Sequence, residues 1–489
     1  MCCQPLARVH TLFLRFVSEP IMSTATNNAP NQVNFLRRGF SQVLIISIVC
    51  FCCPGFFNAL TGLGGAGSNN PSTNAASNAI LYAFFALFGY FGGAFFNLFG
   101  PRVLMTLGGL TYAFYSAAKY LEGVYPQLNW LFLVSGGILG IGAAFLWCAQ
   151  GSLMLAYAPK ARLGFYIATF WTIFNIGGLV GGFIQFGMNY DNITEGNASA
   201  VSYFTFTGVM VAGAVIAALF LVDPAKVVKE DGTEVVVEKP KGPKEEFRDV
   251  LSVILDKNMI LLFMLFFGSN FFYTYVFNGV NGFIFTLRTR GLNSALYWAS
   301  QMVGAVVIGR LLDNANQPAR KRAFIGFLIL AGFMNLVYAL GCYLEYGFLA
   351  GFNKSSPIDL VHRIDFQSSG YAYPAIVFIL YGLGDAMIQA YSYWVMGAIA
   401  GDNTALCAKY TGFYKSVQSV GACISFVLDI EWFGIPYVYQ FWCCWILFLA
   451  ALPTTYMAIR GIPSDDAKDP AEKSHLIVTE SSTPTITAA

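Results

Sequence analysis

Asp385 is the residue of this chain best placed to do chemistry, because it interrupts an apolar run, residues 373–400, about twelve residues in. At mid-bilayer depth a carboxylate costs roughly 2.5 to 3.5 kcal/mol on insertion scales, so it must face protein, water or a cation. That makes Asp385 a candidate proton or cation site, with Gln389 one helical turn further on the same face. A structural carboxylate that ties down a neighbouring helix is the competing reading. Asn58, Gln150 and Asn175 join the candidate site; Asn270, Asn278 and Gln301 are further polar groups at membrane depth that could line a central cavity, although amides also serve as interhelical glue. Lys415 stands about two turns from one end of the run 408–429 and reads as a snorkelling side chain. At about 1.5 Å per residue its depth differs from that of Asp385 by more than about ten ångströms, so no direct contact is expected.

Other chemistries lack their residues. The three histidines, His10, His362 and His475, fall outside the apolar runs. Of the eleven cysteines most lie in or beside those runs, where Cys acts as a small hydrophobe, and Cys443-Cys444 has no partner at zinc-ligand spacing. There is no nucleotide-binding glycine loop and no Ser-His-Asp set. No cofactor, metal or enzymatic activity is therefore expected.

The elements that must hold Asp385 follow from composition. Of 489 residues 56% are hydrophobic and 11% charged, against about a quarter charged in a soluble domain. Lipid must cover the excess, and a net charge of +2 argues against nucleic acid as a partner. Crossing a bilayer takes roughly twenty helical residues. Runs of that length lie near 40–63, 79–99, 103–123, 129–156, 163–188, 203–222, 259–284, 294–312, 323–346, 373–400, 408–429 and 435–459. The expectation is an all-α membrane bundle of about twelve transmembrane helices in two six-helix halves, residues 40–222 and 259–459.

Lys and Arg gather on one side of these spans, at Arg37, Arg38, Arg102, Lys160, Arg162, Arg310, Arg320, Lys321, Arg322, Lys409 and Arg460 and in the charged segment 223–258. The other side has only Arg288, Arg290, Lys354 and Arg363, with Lys119 nearby. By the positive-inside rule both termini and the central segment are cytoplasmic. The acceptors Asn192, Asn197 and Asn353 all fall in loops on the opposite side, as glycosylation in the secretory pathway requires. The host membrane is then the plasma membrane or an endomembrane. Within the central segment Phe247, Val250, Leu251 and Ile254 recur at helical spacing, as in a surface-lying amphipathic linker. Residues 1–39 are too charged to span and make a poor signal peptide, with Met22 as an alternative start; residues 460–489 read as a disordered cytoplasmic tail.

Gly93 and Asn97 precede Arg102 after the second run, and Gly309 and Asp313 precede Arg320 after the eighth. This resembles the cytoplasmic loop motif of the major facilitator superfamily. The resemblance implies a gating contact of the carboxylate with a neighbouring helix end and with Arg. Asn97 replaces the acid in the first copy. Five further strings, Phe57 to Gly67, Leu146 to Ser152, Gly164 to Phe174, Tyr381 to Gln389 and Phe413 to Ser419, resemble the Unc-93-like branch of that superfamily. That likeness implies little about cargo; the leading expectation is a transporter moving a small solute or ion, proton and potassium included, by alternating access. Its alternative is a non-transporting accessory protein that regulates an ion channel or escorts other membrane proteins. The glycines at 62, 64, 65 and 67 are expected to break the first helix, whereas Gly89 and Gly93, and Gly177, Gly178, Gly181 and Gly182, suit close helix packing.

Overall fold

Apolar runs in a bilayer must satisfy their backbone polar groups internally, and here they do so as a series of long helices. The structure, a computed structural model, describes residues 34–62, 71–191, 200–232, 235, 242–314, 316–349, 358, 362–401, 403–433 and 435–462. Its long helices are α1 (Gly39–Gly62), α2 (Pro71–Tyr90), α3 (Gly92–Val124), α4 (Asn129–Tyr157), α5 (Leu163–Met188), α6 (Ala200–Phe220), α7 (Lys257–Gly282), α8 (Leu287–Leu312), α9 (Ala319–Phe348), α10 (Ala372–Ala400), α11 (Thr404–Asp429) and α12 (Tyr437–Arg460). Among the described residues nine of them are each long and apolar enough to cross a membrane, and ten if α2 and α3 count as one bent span. α11 is of similar length but more polar, since it carries Lys409, Lys415, Gln418 and Asp429.

Within α3 the chain turns back on itself. Phe95 packs on Phe145 at 5.1 Å, and Gly108 lies against Leu146, so residues 95 and 108 meet α4 at one level. Between them Gly100 takes φ 75° and ψ 161°, and Pro101 follows. Positive φ suits glycine, and proline suits the first turn of a new helix. The expected runs 79–99 and 103–123 are thus separated at Gly100, but the first begins earlier, at Pro71, and is interrupted at Phe91.

Two interruptions bear on the centre. Pro54 has no N–H to donate, and α1 absorbs it in a π-helical stretch, Phe51–Gly55. α7 relaxes in the same manner over Tyr275–Gly282. α1 is described as far as Gly62, and the rest of the glycine run that was expected to break it lies outside the described residues.

The glycines of α5 divide between two neighbours. Gly177 and Gly181 abut Gly55 and Ala59 of α1, while Gly178 and Gly182 abut Trp298 and Ala295 of α8. The α5–α8 contact continues to both ends, with Gly164 on Gly309 at one and Phe186 on Gly291 at the other. α2 and α11 meet similarly, through Gly89 on Ser416 and a stacked Tyr82–Phe426 pair 5.6 Å apart, and the start of α3 continues the contact through Gly93 on Ala408.

The central segment straps the ends of these helices. Val228 pairs with the backbone of Arg37 and Gly39, each bond 2.9 Å, and Glu230 reaches Arg162 at 2.7 Å. Further on, the helix Pro243–Leu251 accepts a 3.0 Å bond from the Tyr90 hydroxyl at the Val250 carbonyl, and Asp249 lies 3.6 Å from Lys409. Val250 is buried, but Leu251 and Ile254 of the expected apolar face are about half exposed, at 50% and 49%. Asp256 caps α7 by accepting from the N–H groups of Asn258 and Met259, and its other oxygen accepts from Tyr410 of α11 at 2.8 Å.

Two arginines expected in a loop are not there. α8 begins at Leu287, so Arg288 and Arg290 lie in its first turn, with Arg290 fully buried and its Nε bonded to the Phe285 carbonyl at 2.8 Å. Counting charge by loop misplaced them because their guanidiniums bind inside the protein, Arg288 to Asp365 and Arg290 to the Phe285 carbonyl. The acceptors Asn192, Asn197 and Asn353 lie outside the described residues.

Candidate functional site

Asp385 is fully buried in the middle of α10 and is held by three donors. Its Oδ2 accepts from the Tyr297 hydroxyl at 2.9 Å and from Gln301 Nε2 at 2.8 Å, both on α8, and its Oδ1 accepts from Gln389 Nε2 at 3.3 Å. The i, i+4 spacing on one helix puts Gln389 over Asp385, as the sequence implied. Gln389 also donates to Asn270 Oδ1 of α7 at 2.7 Å, while its Oε1 accepts from the Tyr414 hydroxyl and from Gln418 Nε2 at 2.9 Å. Gln418 bonds Ser269 at 2.8 Å, and its own Oε1 accepts from Lys415 Nζ at 2.9 Å.

Lys415 does not snorkel. Only 3% of it is exposed, and its ammonium points inward over the rings of Trp147, Tyr414 and Tyr393 at 4.7, 4.8 and 5.3 Å. Cation–π contacts of this kind replace part of the lost hydration. Snorkelling needs a path to the head groups along the helix surface. Lys415 has none, because its side of α11 faces α4 and α10. The expected absence of direct contact with Asp385 holds, but two amides bridge the gap.

These groups border a cavity of about 50 Å³ whose wall includes Asn58, Asn270, Gln301, Gln389, Lys415 and Gln418 among aromatic residues. Asp385 stands one layer behind that wall. Gln150 and Asn175 are set back as well. Gln150 Oε1 accepts from the Tyr393 hydroxyl at 3.3 Å, and Asn175 donates to the Trp171 carbonyl of its own helix at 2.8 Å. Asn278 donates to Asp429 at 2.7 Å. Of the polar groups proposed from sequence, then, Asn58, Asn270, Gln301 and Gln389 reach the cavity. Tyr297, Tyr414, Lys415 and Gln418 were not among the proposed site residues. Lys415 carried a legible signal, an ionisable group inside an apolar run. Tyr297 carried none.

At one end of the α5–α8 contact Asp313 closes onto a helix N-terminus. Its two oxygens accept from the N–H groups of Gly164 and Phe165 at 2.7 and 2.6 Å, both donors in the first turn of α5. Burial pushes this carboxyl up to about 6, with the two N–H groups pulling the other way. Gly309 packs on Gly164, Arg322 bonds the Leu312 carbonyl at 2.6 Å, and Arg320 bonds the Ile462 carbonyl at 3.0 Å. In the other copy Arg102 donates to the Leu221 carbonyl after α6 at 2.7 Å, Gly93 lies on α11, and Asn97 is half-buried.

At the opposite end of α8 the Arg288 guanidinium grips Asp365 through Nε at 2.8 Å and Nη2 at 3.0 Å. It also donates to the Tyr190 carbonyl at 3.0 Å and lies over the rings of Tyr190 and Phe366. Burial alone would raise the Asp365 carboxyl, but Arg288, the Gln367 N–H and the hydroxyls of Thr286 and Thr289 hold it down to about 2.

Residues 70–452 match the family described as ion channel regulatory protein UNC-93. UNC93-like protein 1 of Arabidopsis thaliana is 36% identical over 449 residues, covering 91% of this chain and 95% of the relative. A UNC93-like protein of Schizosaccharomyces pombe is 38% identical over 419 residues, covering 84% and 80%. Among solved structures the chain resembles the proton:xylose symporter XylE, with a TM-score of 0.54 at 14% identity over 90% of this chain and 98% of the other. It also resembles the major facilitator superfamily transporter FucP in its outward conformation, with a TM-score of 0.57 at 12% identity over 88% and 100%. At such identities these two likenesses speak for the fold alone.

Proposed function

We infer, from a chain that belongs to the UNC-93 family and has the major facilitator fold, that it moves a small solute across the bilayer by alternating access, with Asp385 coupling that movement to a proton. The observation that carries this reading is the position of Asp385. It is a fully buried carboxylate at mid-helix, one amide away from a cavity bordered by α1 to α5, α7, α8, α10 and α11. A buried ionisable group within a span is a functional site by default, because its insertion cost needs a return. Alternating access asks that helix pairs separate at one end at a time. The pairs α5–α8 and α2–α11 supply such contacts. Asp313 on the α5 N-terminus latches one end, in the manner of the loop motif Gly309 to Arg320, and Arg288 on Tyr190 latches the other. Both termini and the Asp313 end face the cytoplasm on this reading.

Potassium is a poorer cargo than a proton-coupled solute, since the Lys415 ammonium stands on the cavity wall and repels a second cation. Flux in sealed liposomes holding the purified protein tests the assignment. Solute uptake should collapse a proton gradient, and Asp385→Asn should abolish it at unchanged protein level. Uptake that survives Asp385→Asn removes the coupling role, and no flux of proton, potassium or any solute from folded protein removes transport.

A second reading is favoured by the unbroken glycine contact between α5 and α8, which resists parting at either end. A protein locked in that manner would act as an accessory subunit that regulates a channel, as the family description says, or escorts a membrane partner. Co-purification of a stable membrane partner, mislocalised on deletion with no change in solute flux, would decide for it.

A further inference from the structure

The wall of the central cavity has a definite chemical character. Phe57, Phe174, Trp147, Trp171 and Trp298 give it aromatic faces, and Lys415 is the charged side chain on it among the described residues. An ammonium has three N–H donors. Lys415 uses one on Gln418 Oε1 and lies over three ring faces, near the thiols of Cys148 and Cys50, and no carboxylate lies within ion-pair distance of it among the described residues. A buried charge without a counter-ion is expensive. The rings offset part of that cost, and a bound anion would supply what is missing. Asn58, across the cavity on α1, is likewise without a protein partner for its amide among the described residues.

We propose that this cavity binds a small aromatic carboxylate, its anionic end on Lys415 and its ring against the indole and phenyl faces of Trp147, Trp171 and Phe174. The enclosed space in this conformation is about 50 Å³, so a ring enters only as the side chains of the wall give way. A cation is disfavoured, because the wall carries an ammonium and Asp385 is withdrawn behind Gln301 and Gln389. A neutral ring compound would leave Lys415 unpaired. An anion on Lys415 competes for the bond that Gln418 now accepts. It would free Gln418 and, through it, Gln389, so that binding is felt at Asp385. The proposal rests on the transport reading for the route of the ligand, but its binding can be measured without flux.

Benzoate and phenylacetate are titrated into the purified full chain in nanodiscs, with benzamide and benzylammonium as neutral and cationic counterparts, read by calorimetry and by tryptophan fluorescence. The acids should bind saturably, benzamide at least about tenfold more weakly, and benzylammonium not at all. Lys415→Gln should cost the acids about tenfold or more in affinity, and Lys415→Arg should retain them. No acid binding, binding of benzamide or benzylammonium as tight as that of the acids, or an unchanged affinity in folded Lys415→Gln would overturn the proposal. Should Lys415→Gln not fold, the comparison of acid with amide on the unaltered chain decides. Acids that bind but are never carried into liposomes would remove transport and leave this site standing. Flux of another solute with no acid binding would do the reverse.

Discussion

Asp385 and Lys415 sit on different helices and do not touch, yet two amides join them: Gln389 donates to Asp385 and accepts from Gln418, which in turn accepts from Lys415. A carboxylate and an ammonium are thereby coupled without collapsing into an ion pair. A direct pair would neutralise both groups and leave neither for a ligand. Spaced by side chains that can each donate and accept, a change at one end reorders bonds at the other.

Gln389→Leu removes the middle of this relay while keeping the volume of the side chain. It leaves Asp385 two donors instead of three and takes an acceptor from Tyr414 and Gln418. A loss of about 1–3 kcal/mol in thermal unfolding is expected, as for a buried polar group stripped of its partner. Proton-coupled flux should fall with it, and by much more than in Gln150→Leu, whose amide lies off the cavity. Equal flux in the two variants would show that the relay does not transmit.

The α5–α8 seam predicts a contrast among glycines. A Cβ at Gly182 would come within 2.6 Å of the Ala295 nitrogen, a backbone atom that cannot step aside, whereas a Cβ at Gly332 or Gly208 meets nothing within 4 Å. Gly182→Ala should lower stability by about 1–3 kcal/mol through overpacking. Gly332→Ala should be neutral or slightly stabilising, because alanine is the better helix former by about 1 kcal/mol. Unfolding in detergent, followed by tryptophan fluorescence, measures both. A neutral Gly182→Ala would mean that α5 and α8 already move apart in solution.

Much of this was legible in the sequence and some was not, for physical reasons. Helices such as α4 and α5 begin and end close to their expected positions, because a bilayer dictates both length and apolarity. Asp385 and Gln389 were found because a carboxylate inside an apolar run announces itself and helical periodicity places its neighbour. Lys415 was misread because depth along the axis was weighed without the face of the helix, which only packing determines. Tyr297 could not be told from other tyrosines, since its role comes from α8 lying beside α10. The start of α8 was missed because Arg288 and Arg290 look like loop residues until Asp365 and the Phe285 carbonyl are seen to receive them.

Asp313 gives its end of the seam a pH dependence. Its carboxyl is raised to about 6 by burial, so the stability it lends to the closed contact is present below its ordinary value of 3.8 and is lost as pH rises through about 6. Between pH 5 and 7.5 the unaltered chain should therefore lose on the order of 1 kcal/mol relative to Asp313→Asn, which cannot ionise. The readout is melting temperature against pH for both proteins. Parallel curves would place the titration of Asp313 elsewhere.

The Arg288–Asp365 grip should behave in the opposite sense. Asp365 is held at about 2, so its contribution is fully present above its ordinary value of 3.8 and fades only as pH falls through about 2. Nothing should change at this end between pH 5 and 8, where Asp313 is changing at the other. Arg288 makes two parallel bonds to the carboxylate and lies over Tyr190 and Phe366, with both partners largely buried. Lysine can supply the charge but neither the fork nor the flat face. Arg288→Ala should cost about 1–3 kcal/mol, and Arg288→Lys should recover only a minor part of it. Because Arg288 also holds the Tyr190 carbonyl at the far end of α5, both variants should open that end of the seam. Maleimide labelling of a cysteine placed at Gly187, where the structure leaves room for it, should therefore speed up in both variants. Full rescue by lysine would reduce the grip to simple charge attraction, and unaltered labelling would mean that the glycine contacts of α5 and α8 hold this end closed without it.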